Sequence, residues 1–151
     1  MHNLTDIKNR LIEEFFPELK NEKISTAYKK NLKDALFEYE RPGKKWYFIK
    51  INELMKNAPL QAIEAGLAHE MAHIIKELKK GFFSSCFEGF LYKVSDRYRI
   101  VDERDADLAI VLRGYGKHLL ELYKYREKLG LPVYDDNGLS ASEIKKLLSL
   151  S

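Results

Sequence analysis

Cysteine is nearly absent from the sequence, since Cys86 is the single copy among 151 residues. One thiol cannot form a disulfide within the chain, and it rules out zinc sites of the Cys₄ and Cys₂His₂ types. The sequence also lacks any apolar run of about 18 residues, the length of a membrane-spanning helix. Its first residues include acids and no apolar stretch, so no signal peptide is predicted. We therefore expect a cytoplasmic protein, not bound to membranes, whose chemistry depends on His, Asp, Glu, Tyr, Arg or Ser side chains.

The sequence also lacks a large excess of positive or negative charge. The 26 Lys and Arg residues nearly balance the 23 Asp and Glu residues, which leaves a formal net charge of +3. Proteins that bind nucleic acids usually concentrate basic residues on one face or in one run. The runs Lys44-Lys45 and Lys79-Lys80 are too short for that, so nucleic acid is not an expected partner.

Size and composition predict one folded domain over residues 1–151. Hydrophobic residues make up 45% of the chain, and a chain of this length buries roughly 70% of its unfolded surface. We expect the core to extend from about residue 24 to 129. Residues 130–151 are expected to form a C-terminal tail with a short helix.

The first half of the chain shows strand patterns after an initial helix that ends at Pro17. Strands are predicted at 24–28, 35–40 and 45–51. The last two flank Arg41-Pro42-Gly43-Lys44, in which Pro followed by Gly favours a type II turn. The class is therefore α+β, with a small antiparallel sheet packed on helices.

Proline, glycine and capping residues mark the helices of the second half. One helix starts at Pro59 and is expected to end at Gly81. Asp102 is a candidate cap for the next helix, which the glycines within 114–116 should kink or break. The segment Ser140–Glu143 is a capping box that predicts a short terminal helix.

The Pro59 helix contains the pattern His69-Glu70-x-x-His73. Histidines at i and i+4 lie on one helical face, with their rings close enough to bind one tetrahedral ion. Glu70 is offset around the helix, where it can reach a metal-bound water without being a ligand. Gly66 and Ala62 continue the same face with little side chain, which leaves space for a cleft.

A third protein ligand must come from elsewhere. Lys79 stands where metzincins have a third histidine, so that pattern is excluded. Glu77 lies one turn beyond His73, too far along the helix to complete a tetrahedron, and we expect it to be a solvated residue. Cys86 follows the motif, whereas the cysteine ligand of deformylases precedes it, so an incidental thiol is expected.

The better candidates are the acids between Asp102 and Asp107. Glu103 and Asp107 are four residues apart and face the same side of a helix, so one carboxylate can bind the ion while the other orients a ligating histidine. Acids also favour the first turn of a helix because of the helix dipole. That explains Asp102 and Asp105, but it explains Asp107 poorly. We expect Glu103 to be the ligand, with Asp107 and Asp105 as alternatives.

Together these motifs resemble the gluzincin zinc metallopeptidases, over about residues 45–129. The closest likeness is to soluble minimal forms, the minigluzincins, which are similar to the catalytic cores of CaaX-processing and heat-shock membrane metallopeptidases. The resemblance implies a Zn²⁺ cofactor. It implies that His69, His73 and Glu103 are the metal ligands and that Glu70 is the general base. Asp107 would then support a ligating histidine.

The resemblance also implies a function, that of a zinc-dependent endopeptidase acting on a peptide or protein. A metal-activated water attacks the peptide bond, with Glu70 as the general base. Family members usually add a Tyr or His donor for the oxyanion, and Tyr115 and His118 are the residues to consider. On an unbroken helix His118 would lie about 22 Å along from Glu103, which is too far, so neither residue is assigned this role and a surface position is expected. The strand 46–51 is the expected edge for binding an extended substrate by strand addition.

Two other functions stay open. The chain can be a non-catalytic metal-binding regulatory module, because an intact motif does not prove a usable cleft. It can also be a DNA-associated protease of the SprT type, although the mixed charge argues against that. A further hypothesis concerns the tail. In it, the segment with Asp135-Asp136 folds over the cleft and offers a carboxylate to the zinc, so that the enzyme is latent. The alternative is that the terminal helix only docks on the domain.

Overall fold

The computed structural model describes residues 2–30, 32, 35–80, 95–131 and 137–150. Three residues or pairs with a role expected from the sequence lie outside the described residues: Gly81 as a helix stop, Cys86 as an incidental thiol, and the acidic pair Asp135-Asp136.

The described part of the chain contains three strands and five α-helices. The strands are β1 (Lys23–Lys29), β2 (Phe37–Gly43) and β3 (Trp46–Asn52). The helices are α1 (Leu4–Glu14), α2 (Leu60–Lys80), α3 (Asp96–Ile110), α4 (Gly116–Lys128) and α5 (Ala141–Leu148). The α+β class is confirmed, and the terminal helix begins at the expected capping box. Among the described helices, none combines the length and the hydrophobicity that a bilayer-spanning segment requires.

The sheet is mixed, with the strand order β1-β3-β2. β2 and β3 form the expected antiparallel hairpin, whereas β1 pairs with β3 in parallel. The expectation of a purely antiparallel sheet is therefore wrong for β1. The chain crosses from β1 to the far edge, forms β2, and returns between the two as β3. Hydrophobic alternation identifies strands, but it does not show on which side of a hairpin an earlier strand pairs.

This topology places β3 in the centre of the sheet. The expectation that 46–51 is an edge strand for substrate is therefore wrong, because β3 is paired on both sides. Within the described residues, the edges of the sheet are β1 and β2.

The hairpin turn lies later than expected. Pro42 and Gly43 belong to β2, the turn is at Lys44-Lys45, and the register is irregular between Glu40 and Gly43. A type II turn needs a positive φ at its third residue. Gly43 does not have one, since the described glycines with positive φ are Gly114 and Gly130.

β2 runs alongside α2 and contacts it at three successive points. The Phe37 ring lies against Gly66, the Tyr39 ring stacks on His73, and Arg41 pairs with Glu77. The space expected over Gly66 is therefore partly filled by Phe37. α2 itself is buried along most of its length, because it lies between the sheet and the other helices. The core is one cluster of buried residues, and it extends from Leu4 to Ile144.

α3 begins seven residues earlier than predicted. Ser95 is its N-cap and accepts a hydrogen bond from the backbone N–H of Tyr98. The assignment of Asp102 as the cap is therefore wrong. Asp102 and Glu103 lie well inside α3, where the dipole effect of the first turn no longer explains a cluster of acids.

The expected kink between α3 and α4 is confirmed. Residues Val111–Tyr115 form a π-helical turn, and Gly114 has a φ of 93°. This turn lets α3 and α4 follow each other closely while both pack against α2.

Gly114→Ala is expected to lower the free energy of unfolding by about 1–3 kcal/mol, because an L side chain is strained at this φ. A Cβ atom there would have no neighbour within 4 Å among the described atoms, so the cost comes from the backbone and not from a clash. Urea denaturation measures the change.

Gly114→Asn should cost less, since asparagine tolerates positive φ better than alanine. Lys117→Ala, on the exposed side of α4, is the control for an ordinary surface change. Equal stability of wild type and Gly114→Ala would contradict the conformation described here.

Candidate metal centre

His69 and His73 lie one turn apart on α2 and point to the same place. Their ring centroids are 4.7 Å apart, with the planes at 70°, and their Nε2 atoms are 3.0 Å apart. Both side chains are largely buried, so the rings have few alternative positions.

Glu103 brings a carboxylate from α3 to the same place. Its Oε2 atom lies 3.0 Å from His69 Nε2, and its Oε1 atom lies 3.7 Å from His73 Nε2. One ligand atom from each of the three residues lies within 4.8 Å of the other two. Ligand bonds of about 2.0–2.1 Å in a tetrahedral zinc site place the ligand atoms roughly 3.3 Å apart. The three groups therefore have the chemistry and the spacing to hold a small divalent cation.

The two alternative ligands have other roles in the structure. Asp107 contacts His69 through the opposite ring nitrogen, with Nδ1 and Oδ1 2.9 Å apart. The Asp105 side chain is 57% exposed and pairs with Lys76. Among the three acids considered from the sequence, Glu103 is the one whose oxygen atoms face both Nε2 atoms.

Each histidine is supported by a carboxylate of α3. Asp107 binds Nδ1 of His69, and Asp102 Oδ2 lies 3.1 Å from Nδ1 of His73. A proton on Nδ1 that is donated to a carboxylate leaves Nε2 free as a ligand atom. Lys76 Nζ in turn lies 2.6 Å from Asp102 Oδ1, so the ammonium group compensates part of the negative charge of the α3 carboxylates.

Sequence reasoning missed the role of Asp102, because it treated this residue as a helix cap. The available signal was Ser95, which is followed by an acid and a helical stretch and is a typical N-cap. A helix that starts there places Asp102 and Glu103 next to each other in its interior.

Tyr39 supports His73 from the sheet. The two rings stack with centroids 6.2 Å apart and planes at 21°. The Tyr39 hydroxyl donates to Glu77 over 3.2 Å, and Glu77 also binds Arg41 at 2.5 Å. Glu77 was expected to be solvated, and this is wrong: its side chain is 15% exposed and pairs with a cation from β2.

The carboxylates shift the pKa values of both histidines upward. Burial disfavours the charged ring of His73, but the hydrogen bonds to Asp102 and Glu103 outweigh it and raise the pKa to about 9. The pKa of His69 is likewise held well above its ordinary value despite burial, by Asp107 and Glu103. Burial also opposes ionisation of Glu103, yet both histidines hold its pKa far below the ordinary value. Because raised pKa values favour the protonated rings, a cation that binds here competes with protons for the Nε2 atoms.

Glu70 lies beside this cluster, in the same cleft. It is 7% exposed, and burial raises the pKa of its carboxyl group, although the two histidines partly oppose this. The cleft opens to solvent and, with that open space included, has a volume of about 400 Å³. It is lined by site residues, by apolar side chains and by Arg126; these are Leu36, Phe37, Gly66, His69, Glu70, Glu103, Asp107, Leu119, Leu122, Tyr123, Arg126 and Gly138.

Tyr115 and His118 do not line this cleft in the part of the chain that the structure describes. Tyr115 packs edge-on against Phe15, with centroids 4.9 Å apart. His118 Nε2 lies 3.1 Å from the buried carboxylate of Glu64, which also binds Arg10. Both candidates for the oxyanion donor thus belong to a cluster between α1, α2 and α4.

No family model, no curated protein and no solved structure matches the chain.

Asp102→Ala is expected to weaken binding of a divalent metal by about 10- to 100-fold, the usual cost of losing the group that orients a histidine ligand. Competition between the protein and a chromophoric chelator for Zn²⁺ or Co²⁺ measures the affinity.

Asp105→Ala is the matched control, since Asp105 lies on the same helix and binds the same lysine without touching a histidine. The control should bind metal like wild type. Equal losses in the two variants would show that the charge near Lys76, and not the support of His73, determines the affinity.

Proposed function

We propose that the protein is a soluble zinc-dependent endopeptidase of the gluzincin type, similar to the minigluzincins. One observation carries the proposal: His69, His73 and Glu103 converge from two helices, each histidine is supported by a carboxylate, and Glu70 lines the cleft beside them. Two imidazole nitrogens and one carboxylate form a ligand set that catalytic zinc sites use. The single cysteine favours a reducing compartment such as the cytoplasm.

Zinc fits the ligand set better than magnesium or calcium, because the latter prefer sites made of oxygen ligands. Three protein ligands are the number that catalytic zinc sites use, and such a set would leave room for water on the ion. When bound, zinc would act as a Lewis acid on the peptide carbonyl and lower the pKa of water in the site.

The residues of the chain then have distinct tasks. His69, His73 and Glu103 would hold the ion, while Asp107 and Asp102 keep the two rings oriented. Glu70 accepts a proton from the attacking water and passes it to the leaving amine. Its buried position suits this role, because a raised pKa brings a carboxylate closer to the range in which it both accepts and donates a proton.

The edge strand β2 is the place we assign to the substrate main chain. It runs alongside α2, and Phe37 at its start lines the cleft. An extended peptide can add to such an edge through backbone hydrogen bonds. The strand assigned to the substrate is thus β2 and not residues 46–51, while strand addition is kept as the way in which the substrate binds.

His69→Ala is expected to remove the metal. The purified wild-type protein should retain one zinc ion per chain, and the variant should retain none, because two remaining ligands bind zinc weakly. Elemental analysis after dialysis measures the stoichiometry. His118→Ala is the control, since His118 lies outside the cleft; full zinc occupancy in His69→Ala would refute the ligand assignment.

Glu70→Gln should keep the zinc and abolish cleavage, because the amide cannot accept the proton of the attacking water. The loss should be at least about 100-fold, the lower range for general acid–base catalysis. A broad peptide library, analysed by mass spectrometry, measures the cleavage.

Glu127→Gln, an exposed position of α4, is the control and should cleave like wild type. Unchanged cleavage by Glu70→Gln would remove Glu70 from the mechanism. Zinc binding without cleavage of any library peptide by the wild-type protein would favour the non-catalytic metal-binding module instead.

A further inference from the structure

Asp107 is held from two sides. Its Oδ1 atom contacts His69, and its Oδ2 atom accepts a hydrogen bond from the backbone N–H of Leu139 at 2.9 Å. The Tyr123 hydroxyl lies 3.0 Å from the same Oδ2 atom and 2.8 Å from the Leu139 carbonyl oxygen. A hydroxyl has one proton, so Tyr123 donates to one of these acceptors at a time. The backbone of Leu139 is therefore a constant donor to the carboxylate that orients His69.

Glycine at position 138 makes this approach possible. A Cβ atom at Gly138 would collide with Asp107 Oδ2 and would lie 3.3 Å from the Tyr123 hydroxyl. The requirement is steric and not conformational, because Gly138 is not among the described glycines with positive φ. The carboxylate of Asp107 occupies the space that a side chain at 138 would need.

An ion pair holds this segment on α3. The Arg104 guanidinium binds the Glu143 carboxylate through both of its terminal nitrogens, at 2.7 and 3.3 Å, and donates to the Gly138 carbonyl oxygen at 3.1 Å. Glu143 also completes the capping box with Ser140. Arg104 is the neighbour of Glu103 in the sequence, so the same turn of α3 binds the tail and supplies the third ligand.

Apolar contacts add to this attachment. Leu139 and Ile144 are buried in the main core, and Leu148 packs against Gly116 at the start of α4. The terminal helix is thus docked on the domain in the described part of the chain. Gly138 and Leu139, just before this helix, reach Asp107 beside the candidate ligands.

We propose that residues 137–148 are a structural component of the metal centre, in which Gly138 and Leu139 act as positioning residues for Asp107 and, through it, for His69. The proposal rests on the metal site of the proposed function. It assigns the tail a supporting role, so that loosening the tail lowers metal affinity. A tail that only inhibits would leave metal affinity unchanged or raise it when loosened.

The test compares the metal affinity of full-length variants. Gly138→Ala should bind Co²⁺ or Zn²⁺ about 10- to 100-fold more weakly than wild type, as expected when a histidine ligand loses its oriented partner. Leu11→Ala is the control for stability alone, since Leu11 is fully buried in α1 far along the chain from the site. It should lower the unfolding temperature and, well below that temperature, bind metal like wild type.

A second variant covers the case in which Gly138→Ala does not fold. Arg104→Gln removes the ion pair to Glu143 at a position where the side chain is 39% exposed, so the fold should survive. Its metal affinity should fall by a smaller factor than that of Gly138→Ala. Lys146→Gln, exposed on α5, is the matched control and should match wild type.

A readout without metal separates this proposal from the proposed function. In the metal-free wild-type protein, the imidazole ¹⁵N–¹H spectrum should show a slowly exchanging proton on His69 Nδ1, held by Asp107. That signal should weaken or vanish in Gly138→Ala and persist in Leu11→Ala.

These measurements distinguish failure of the metal function from failure of the positioning role. A wild-type chain that binds no metal but shows the Nδ1 proton and its loss would refute the metal function and leave the positioning role supported. A folded Gly138→Ala variant with wild-type affinity and an unchanged Nδ1 signal would overturn the proposal. Wild-type metal affinity in Arg104→Gln would also overturn the proposal. The same holds if Leu11→Ala loses as much metal affinity as Gly138→Ala.

Discussion

The hydrogen bonds between the histidine rings of α2 and the carboxylates of α3 determine how the candidate site is built. Each ring uses Nδ1 for its carboxylate, so both Nε2 atoms face Glu103. Burying such polar groups is costly unless all of them find partners. Here the partners come from the neighbouring helix, from Lys76 and from the backbone of Leu139. The packing of α2 against α3 is therefore inseparable from the geometry of the site.

Local patterns predicted the parts of the site that lie on one element. The spacing of His69 and His73 depends only on the helical repeat, and α2 forms where Pro59 indicates. Glu103 was chosen from its position relative to Asp107 and from the family resemblance, and the structure places its oxygen atoms beside both rings. The capping box and the kink at Gly114 were also found, because each depends on a few neighbouring residues.

Contacts between distant segments were not predicted, since no short pattern encodes them. The parallel pairing of β1 with β3 depends on how the chain crosses the sheet. The partnership of Glu77 with Arg41 depends on the direction in which β2 runs along α2. Asp102 was assigned to a cap because the true cap, Ser95, was overlooked. An error of two helical turns in one boundary thus hid a residue that contacts a candidate ligand.

The three candidate ligands are supplied by two helices, and His73 and Glu103 are thirty positions apart in the sequence. An ion bound by all three would act as a cross-link that closes this loop and reduces the conformational freedom of the unfolded chain. A protein with one cysteine cannot obtain such a cross-link from an internal disulfide. For this chain, the supply of the ion in its surroundings would then contribute to the fraction of molecules that is folded, in the manner of any ligand that binds the native state alone.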